Sequence, residues 1–271
     1  MVIRALNWFV LLKVLRRAGT LAAVLLFATG APAQTAPPDV LRELAPKGQL
    51  RAAINYGNPV LAQKGAEGPR GVSVDLAREL GRRLGVPVEF VIFEAAGRVS
   101  AAATGDVWDI AFLAIDPLRA GDIAFTQPYV LIEGAYLVRG DSPIRTVEEV
   151  DREGVRIAVG KGSAYDLFLG RALKHAKLVH APTSQAVIEV FGRDKVDVAA
   201  GVRQQIVQFE KEDPALRVLP GRFMANEQAI GTPQGRAAAL DYLRGFVEDA
   251  KRSGFVSTAL ERSGQVAAVP P

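Results

Sequence analysis

Cysteine is absent from this chain, and histidine, methionine and tryptophan occur twice each. Without cysteine there is no disulfide framework, no thiolate metal site and no lipid anchor attached through a cysteine at a cleavage site. His175 and His180 are five positions apart, a spacing that does not share a helical face, and both read as ordinary surface residues. HExxH is missing, so a zinc site is not expected and no cofactor is called for. GxSxG and SxxK are missing as well, which removes the common hydrolase signatures. A surplus of one charge is also lacking beyond the amino-terminal stretch. The chain holds 33 Lys and Arg against 29 Asp and Glu, but Arg4, Lys13, Arg16 and Arg17 precede the first acid, Asp39. With those four set aside the charges balance, so a basic nucleic-acid footprint is not supported.

That amino-terminal stretch has its own logic. A basic start leads into an apolar core from Leu21 to Thr29 and then Ala31-Pro32-Ala33, a small-residue cleavage site. Residues 1–33 read as a secretory signal peptide, cleaved near Ala33, and the rest as a periplasmic protein. The apolar run after Arg17 is shorter than the roughly 20 residues that span a bilayer. The remaining length suits one large or two modest domains.

Beyond the leader, two runs of alternating strand and helix patterns follow each other. Leu50–Ile54 reads as a strand and Val72–Leu84 as a helix. In that helix Leu76, Leu80 and Leu84 share a face, Ser73 can cap the start, and Gly85 and Pro87 stop it. Val88–Phe93 is a strand, Arg98–Thr104 a short helix and Ile110–Ile115 a buried strand. The second run has Val155–Val159 as strand and Ala164–Leu173 as helix with Ser163 at its N-cap. It continues with Leu178–His180 as strand, Ser184–Phe191 as helix and Val196–Ala200 as strand. Asp109-Ile110-Ala111 and Asp197-Val198-Ala199 occupy matching places in the two runs. Such alternation implies α/β lobes, each a mostly parallel sheet flanked by helices. Phe223–Gly231 reads as extended, and Thr232-Pro233 as the opening of a long helix ending at Gly254. Its single apolar stripe, with Leu240, Leu243, Val247 and Ala250, must pack on an existing core, most economically the first lobe. The chain would then cross between lobes near 136–142 and 221–231, making lobe 1 from 39–137 plus 222–271 and lobe 2 from 138–221. Two crossings make a hinge, and a hinge encloses a cleft.

The stretch from Trp108 to Tyr129 is the most informative. The buried strand ends at Asp116-Pro117, an N-cap followed by the proline of a first helical turn, and Arg119 falls just beyond the strand's carboxyl end. That edge of an open α/β sheet is where ligands bind. A guanidinium there either grips a carboxylate with two parallel hydrogen bonds or pairs at the surface with Asp116 or Asp122. Trp108 reads as core. Phe93, Phe112 and Tyr165 form an apolar wall for a ligand or belong to the lobe cores. Asn58 bonds a ligand or holds the turn before Pro59, and Gln228 is a further cleft candidate on the second crossing.

Taken together, several motifs carry a resemblance. They are Gly71–Leu84 (G-x-x-x-D-L-x-x-x-L-x-x-x-L), Asp109–Arg119, the run Phe125-Thr126-Gln127-Pro128-Tyr129, Val155–Ser163 (V-x-I-A-V-G-K-G-S), Val196-Asp197 and Phe255-Val256. In order and spacing the chain resembles the bacterial extracellular solute-binding proteins of family 3, which serve amino-acid-type ABC transporters. The resemblance implies a type II periplasmic-binding-protein fold with two lobes joined by two crossing segments. It implies a monomer that captures a small anionic or zwitterionic solute and delivers it to an inner-membrane ABC permease. It further implies that Arg119 holds the ligand's carboxylate and that the turn Gly162, Ser163, Ala164, Tyr165 adds backbone donors at a helix N-terminus.

The chain departs from the family pattern on the other side of the ligand. Alanines stand at Ala111, Ala114 and Ala164 where amino-acid binders place hydroxyls, and Val202 stands near the usual acid that meets an ammonium. Either Glu94 or another acid takes that role, or the ligand is not an ordinary α-amino acid. Some relatives of this fold are cyclohexadienyl dehydratases, for which Glu94 would be the candidate general acid. Others are periplasmic sensors that bind a ligand and touch a receptor.

Overall fold

Leu50–Asn55 is buried at every position, and so are Ile110–Ala114 and Val198–Val202. Runs this apolar fit strands covered on both faces by helices. In the computed structural model, which describes residues 36–271, they are inner strands of one ten-stranded sheet. The signal-peptide reading of residues 1–33 lies outside the described residues.

In chain order the elements are α1 (Pro38–Leu44), β1 (Leu50–Asn55), β2 (Gln63–Gly65), β3 (Gly68–Arg70), α2 (Val72–Leu84), β4 (Val88–Phe93), α3 (Ala96–Ala101), β5 (Ile110–Ala114), β6 (Ile123–Phe125) and β7 (Val130–Arg139). The second part has β8 (Arg156–Gly160), α4 (Ala164–Ala172), β9 (Lys177–Ala181), α5 (Val187–Arg193), β10 (Val198–Val202), α6 (Arg203–Glu212), β11 (Leu216–Val218), β12 (Met224–Pro233), α7 (Ala237–Arg252) and α8 (Phe255–Arg262).

The sheet runs β4-β1-β5-β12-β7-β10-β8-β9 and reads nearly the same from either end. β1 pairs in parallel with β4 and β5, as β8 does with β9 and β10. The two long strands between them, β12 and β7, are antiparallel to each other and to the half-sheets they flank. Residues 224–228 of β12 pair with β7, and 228–231 pair with β5. The chain therefore passes between the half-sheets along continuous strands.

Each half-sheet repeats one backbone device. The amide of Asp109 donates to the carbonyl of Arg51 at 2.8 Å, and the amide of Arg51 donates to the Asp109 carboxylate at 3.0 Å. Asp197 and Arg156 make the same reciprocal pair at 3.1 and 2.9 Å. This physical correspondence lies beneath the matched Asp-Ile-Ala and Asp-Val-Ala segments. The first pair is elaborated further. Asp109 is wholly buried, and its carboxylate also accepts from the Arg51 guanidinium at 2.9 and 2.8 Å and from Arg236 at 3.0 Å. The bonds to Asp109 above all, with a further pair to Asp106, hold the Arg51 guanidinium above its ordinary range.

Several elements differ from the sequence expectation. α2 spans Val72–Leu84 with Gly85 in the left-handed conformation at φ +71°, but its N-cap is Gly71. Ser73 sits inside the helix, its hydroxyl 3.4 Å from that of Tyr129. Asp116-Pro117 opens no helix. Asp116 does cap, accepting from the Leu118 amide at 2.9 Å, but the chain makes isolated turns and enters β6 at Ile123. Thr232-Pro233 ends β12 and pairs with Ala124 and Ile123, so the long helix starts later, at Ala237. A proline at a strand end lacks only a ladder donor, which the extended conformation tolerates there.

Candidate functional site

The carboxyl ends of β1 and β5 face the start of α4 across the β12–β7 seam, the kind of switch point where α/β sheets bind ligands. A narrow cavity of about 30 Å3 lies there. From the first half-sheet it is lined by Asn55, Gly57, Asn58, Ala96, Phe112, Leu113, Ala114 and Arg119. The second contributes Ser163, Ala164, Tyr165, Ser184 and Val202, and β12 contributes Asn226 and Gln228. A larger, more open depression of about 870 Å3 lies elsewhere, between α5 and α6, with Ile188, Phe191, Phe209 and Leu216 on its walls. No unpaired buried side-chain atom belongs to its lining, whereas one belongs to the narrow cavity.

That atom is Nε of Arg119. The side chain is 4% exposed. Its Nη1 donates to the Ala114 carbonyl at 2.8 Å and its Nη2 to the Gly162 carbonyl at 3.0 Å, across the seam. Burial pulls the guanidinium down to about 10, with Asp116 acting weakly in the opposite direction. A surface pair with Asp116 or Asp122 is not what the structure shows. Asp116 is itself buried and accepts from the Arg171 guanidinium of α4 at 3.2 and 2.8 Å, a second bridge between the halves. Arg119 is thus a desolvated cation whose Nε has no partner, and a carboxylate is the group that fits it.

The facing wall is the turn into α4. Ser163 caps the helix, its hydroxyl accepting from the Asp166 amide at 3.2 Å. The amide of Gly162 is turned away onto the Asp166 carboxylate at 2.7 Å and that of Ser163 onto Gly160 at 3.0 Å. The expectation that the amides of Gly162 and Ser163 donate to a ligand is therefore corrected. Ala164 and Tyr165, at the first two helical positions, carry the N–H groups that lack an intrahelical acceptor. Gly162 takes part through its carbonyl. Gly97 and Gly162 meet backbone to backbone, and a Cβ built on Gly162 would lie 2.7 Å from the Cα of Gly97. Gly162 also has φ +70°, so glycine is needed there twice over.

The remaining lining is neutral. Phe112 both lines the cavity and packs edge-on against Tyr129 at 6.2 Å between centroids. Tyr165 is buried against Phe223, and burial pushes its phenol up, opposed by a bond from Asn226. Gln228 donates to Asn226, its neighbour two residues back on the same strand face. The Asn58 carboxamide accepts from the Val60 amide at 3.2 Å, so Asn58 both holds the turn and lines the cavity.

Two expected residues lie elsewhere. Phe93 is not in the lining; it packs with Ala53, Val99 and Trp108 on another face of the first half. Glu94 is half exposed and pairs with Lys64 at 3.1 Å. Phe93 ends β4 and Glu94 follows it, and β4 is an outer strand of the sheet. Trp108 is core, donating to the Val99 carbonyl at 3.1 Å. Sequence reasoning missed Asn55, Ser184 and Asn226. Asn226 had a signal, since it alternates with Gln228 in a strand. Ser184 had none, because it arrives by close approach of its backbone to Gly160. Among the described residues no cluster of His, Asp and Glu is arranged to hold a metal, and no helix is long and apolar enough to cross a membrane.

The fold has counterparts. A mutant of ArgBP from T. maritima superposes with a TM-score of 0.71 at 21% identity, covering 83% of this chain and 99% of that one. The solute receptor for L-cysteine of Neisseria gonorrhoeae gives 0.69 at 25% identity, with 80% and 90% covered. The ancestral amino acid-binding protein AncCDT-1, a precursor of cyclohexadienyl dehydratase, gives 0.69 at 22% identity, with 82% and 98% covered. No curated protein sequence matches the chain significantly. The fold is the type II periplasmic-binding-protein architecture. The family model for these receptors matches residues 50–262 without interruption, from β1 to the end of α8, and the chain belongs to the bacterial extracellular solute-binding proteins, family 3.

Proposed function

We propose that this protein captures a small carboxylate-bearing solute, anionic or zwitterionic, in the cavity around Arg119 and presents it to an ABC permease from the periplasm. The observation that carries this reading is the buried Arg119 guanidinium with its free Nε. A solute carboxylate would take the Nε–Nη2 edge, displacing the Gly162 carbonyl, while the amides at the start of α4 approach its second oxygen. Charge-assisted bonds in a dry site are each worth about 1.5–3 kcal/mol. A micromolar affinity needs about 8 kcal/mol, so two or three such bonds and apolar contact with Phe112 and Tyr165 suffice. Lobe 1 (39–137 plus 222–271) and lobe 2 (138–221) would close around the solute by flexing β7 and β12, and the protein would act as a monomer. Arginine-bound ArgBP and the L-cysteine receptor show the kind of solute that relatives take. Binding is favoured over turnover because no lining residue bears a carboxyl group that could move a proton, and Glu94 lies outside the lining.

The test is calorimetry on leaderless protein with a panel of amino acids and organic acids, repeated with Arg119→Met. The expected result is binding by carboxylates alone, weakened about ten- to a hundredfold in the variant. Carboxylate binding unchanged by the substitution, or a response confined to neutral sugars, overturns the reading.

A further inference from the structure

Resting on that reading, we infer that the site selects a carboxylate whose other polar groups are neutral, such as a hydroxy or keto acid, and discriminates against the ammonium of an ordinary α-amino acid. The charges around the cavity lead there. Arg119 is the only charged side chain in the lining. Every acid near it is committed elsewhere or faces solvent. Asp116 holds Arg171 at 2.8 Å and the Leu118 amide at 2.9 Å. Asp166 accepts from the Gly162 amide and meets His180, both at 2.7 Å. Glu133 is gripped by Arg203 at 2.7 Å and by Arg222 at 2.8 Å. Glu94 pairs with Lys64, and Glu227 is exposed on the far side of β12. With Asp116 neutralised by Arg171, the site keeps one positive charge. A single carboxylate cancels it, and a zwitterion would leave its ammonium buried without a counter-charge, which is strongly unfavourable.

What the cavity offers beyond Arg119 are neutral groups. The carboxamides of Asn55, Asn58, Asn226 and Gln228 and the hydroxyls of Ser163 and Ser184 supply both donors and acceptors. Because Gln228 donates to Asn226, its own amide oxygen is left as an acceptor, and the Asn226 amide nitrogen, which also reaches Tyr165, carries two N–H donors. Such a pair suits a hydroxyl or a carbonyl. Val202, 3% exposed, completes the wall with methyl groups.

The experiment compares matched skeletons by calorimetry on the intact leaderless protein: L-lactate with L-alanine, L-malate with L-aspartate, and L-phenyllactate with L-phenylalanine. In each pair for which either member binds, the hydroxy acid is expected to bind at least about tenfold tighter. Gln228→Glu, which places a carboxylate in the lining, should move that ratio toward the amino acid by about tenfold or more. Equal or tighter amino-acid binding that depends on Arg119 overturns the inference and leaves the carboxylate-capture reading standing. If no member of any pair binds, or binding ignores Arg119→Met, both fail.

Discussion

The two half-sheets share a strand order and a reciprocal aspartate–backbone pair, yet they use them differently. In the first, Asp109 is fully buried among two guanidinium groups and two backbone bonds. In the second, Asp197 makes the backbone bonds at the surface. The same asymmetry runs through the site. The first half supplies the buried cation, and the second supplies carbonyl, amide and hydroxyl groups around a helix start. A duplicated architecture has thus been divided into a half that fixes charge and a half that meets it with backbone. Where one function needs both recognition and closure, such a split lets the charged group sit on the more rigidly tied side.

The sharpest way to break this contrast is Asp109→Ala. It removes the buried carboxylate shared by Arg51 and Arg236, leaving Arg51 its pair with Asp106 and Arg236 its bond to the Glu43 carbonyl, and urea unfolding should show a loss of about 3–5 kcal/mol. A loss no larger than that of Asp197→Ala would erase the distinction between the halves. Next in size is Arg119→Met, expected to weaken carboxylate binding by about 1.5–3 kcal/mol, roughly ten- to a hundredfold. Its thermal midpoint should stay close to the parent's, because removing a desolvated cation offsets the two hydrogen bonds lost.

Titration probes the same charge. Arg119 is a base whose ionisation is pulled down to about 10 by burial. The folded state therefore binds its proton less tightly than the unfolded chain. Burial disfavours the fold while the group is charged, and that penalty is relieved as pH rises through the folded value. Carboxylate affinity should be flat through the neutral range and fall once pH passes about 10. An affinity unchanged in that alkaline range would show that the guanidinium keeps its proton there. A smaller effect is expected from Gly97→Val, which inserts a side chain where Gly97 meets Gly162. It should lower affinity several-fold and raise the radius of gyration in scattering, with the Arg119 chemistry intact. Smallest is Asp197→Ala, at about 0.5–1.5 kcal/mol of stability.

The parts of the fold that were legible follow from burial with a clear period. α2 was readable from Leu76, Leu80 and Leu84, and the inner strands from uninterrupted apolar runs. α6 was not, because only Ile206 of its ten residues is buried and no stripe forms. β7 hid because it serves two half-sheets at once, and its burial stops alternating after Glu133. At the site, Arg119, Ser163, Ala164, Tyr165 and Gln228 could be placed because local signals (strand end, helix cap, crossing segment) fix them near the seam. Phe93 and Glu94 could not be excluded by local signals. Their strand is an outer one, and strand order is a long-range property.

One contact has a practical consequence. Where Gly97 and Gly162 touch, the two halves meet on bare main chain, and nothing but hydrogen stands between them. If the halves close on a solute as proposed, residues of graded bulk installed at position 97 would act as doorstops, setting how far the jaws travel without altering what they grip. The pair thereby separates the strength of capture from its chemistry, the handle wanted for tuning a reagentless sensor.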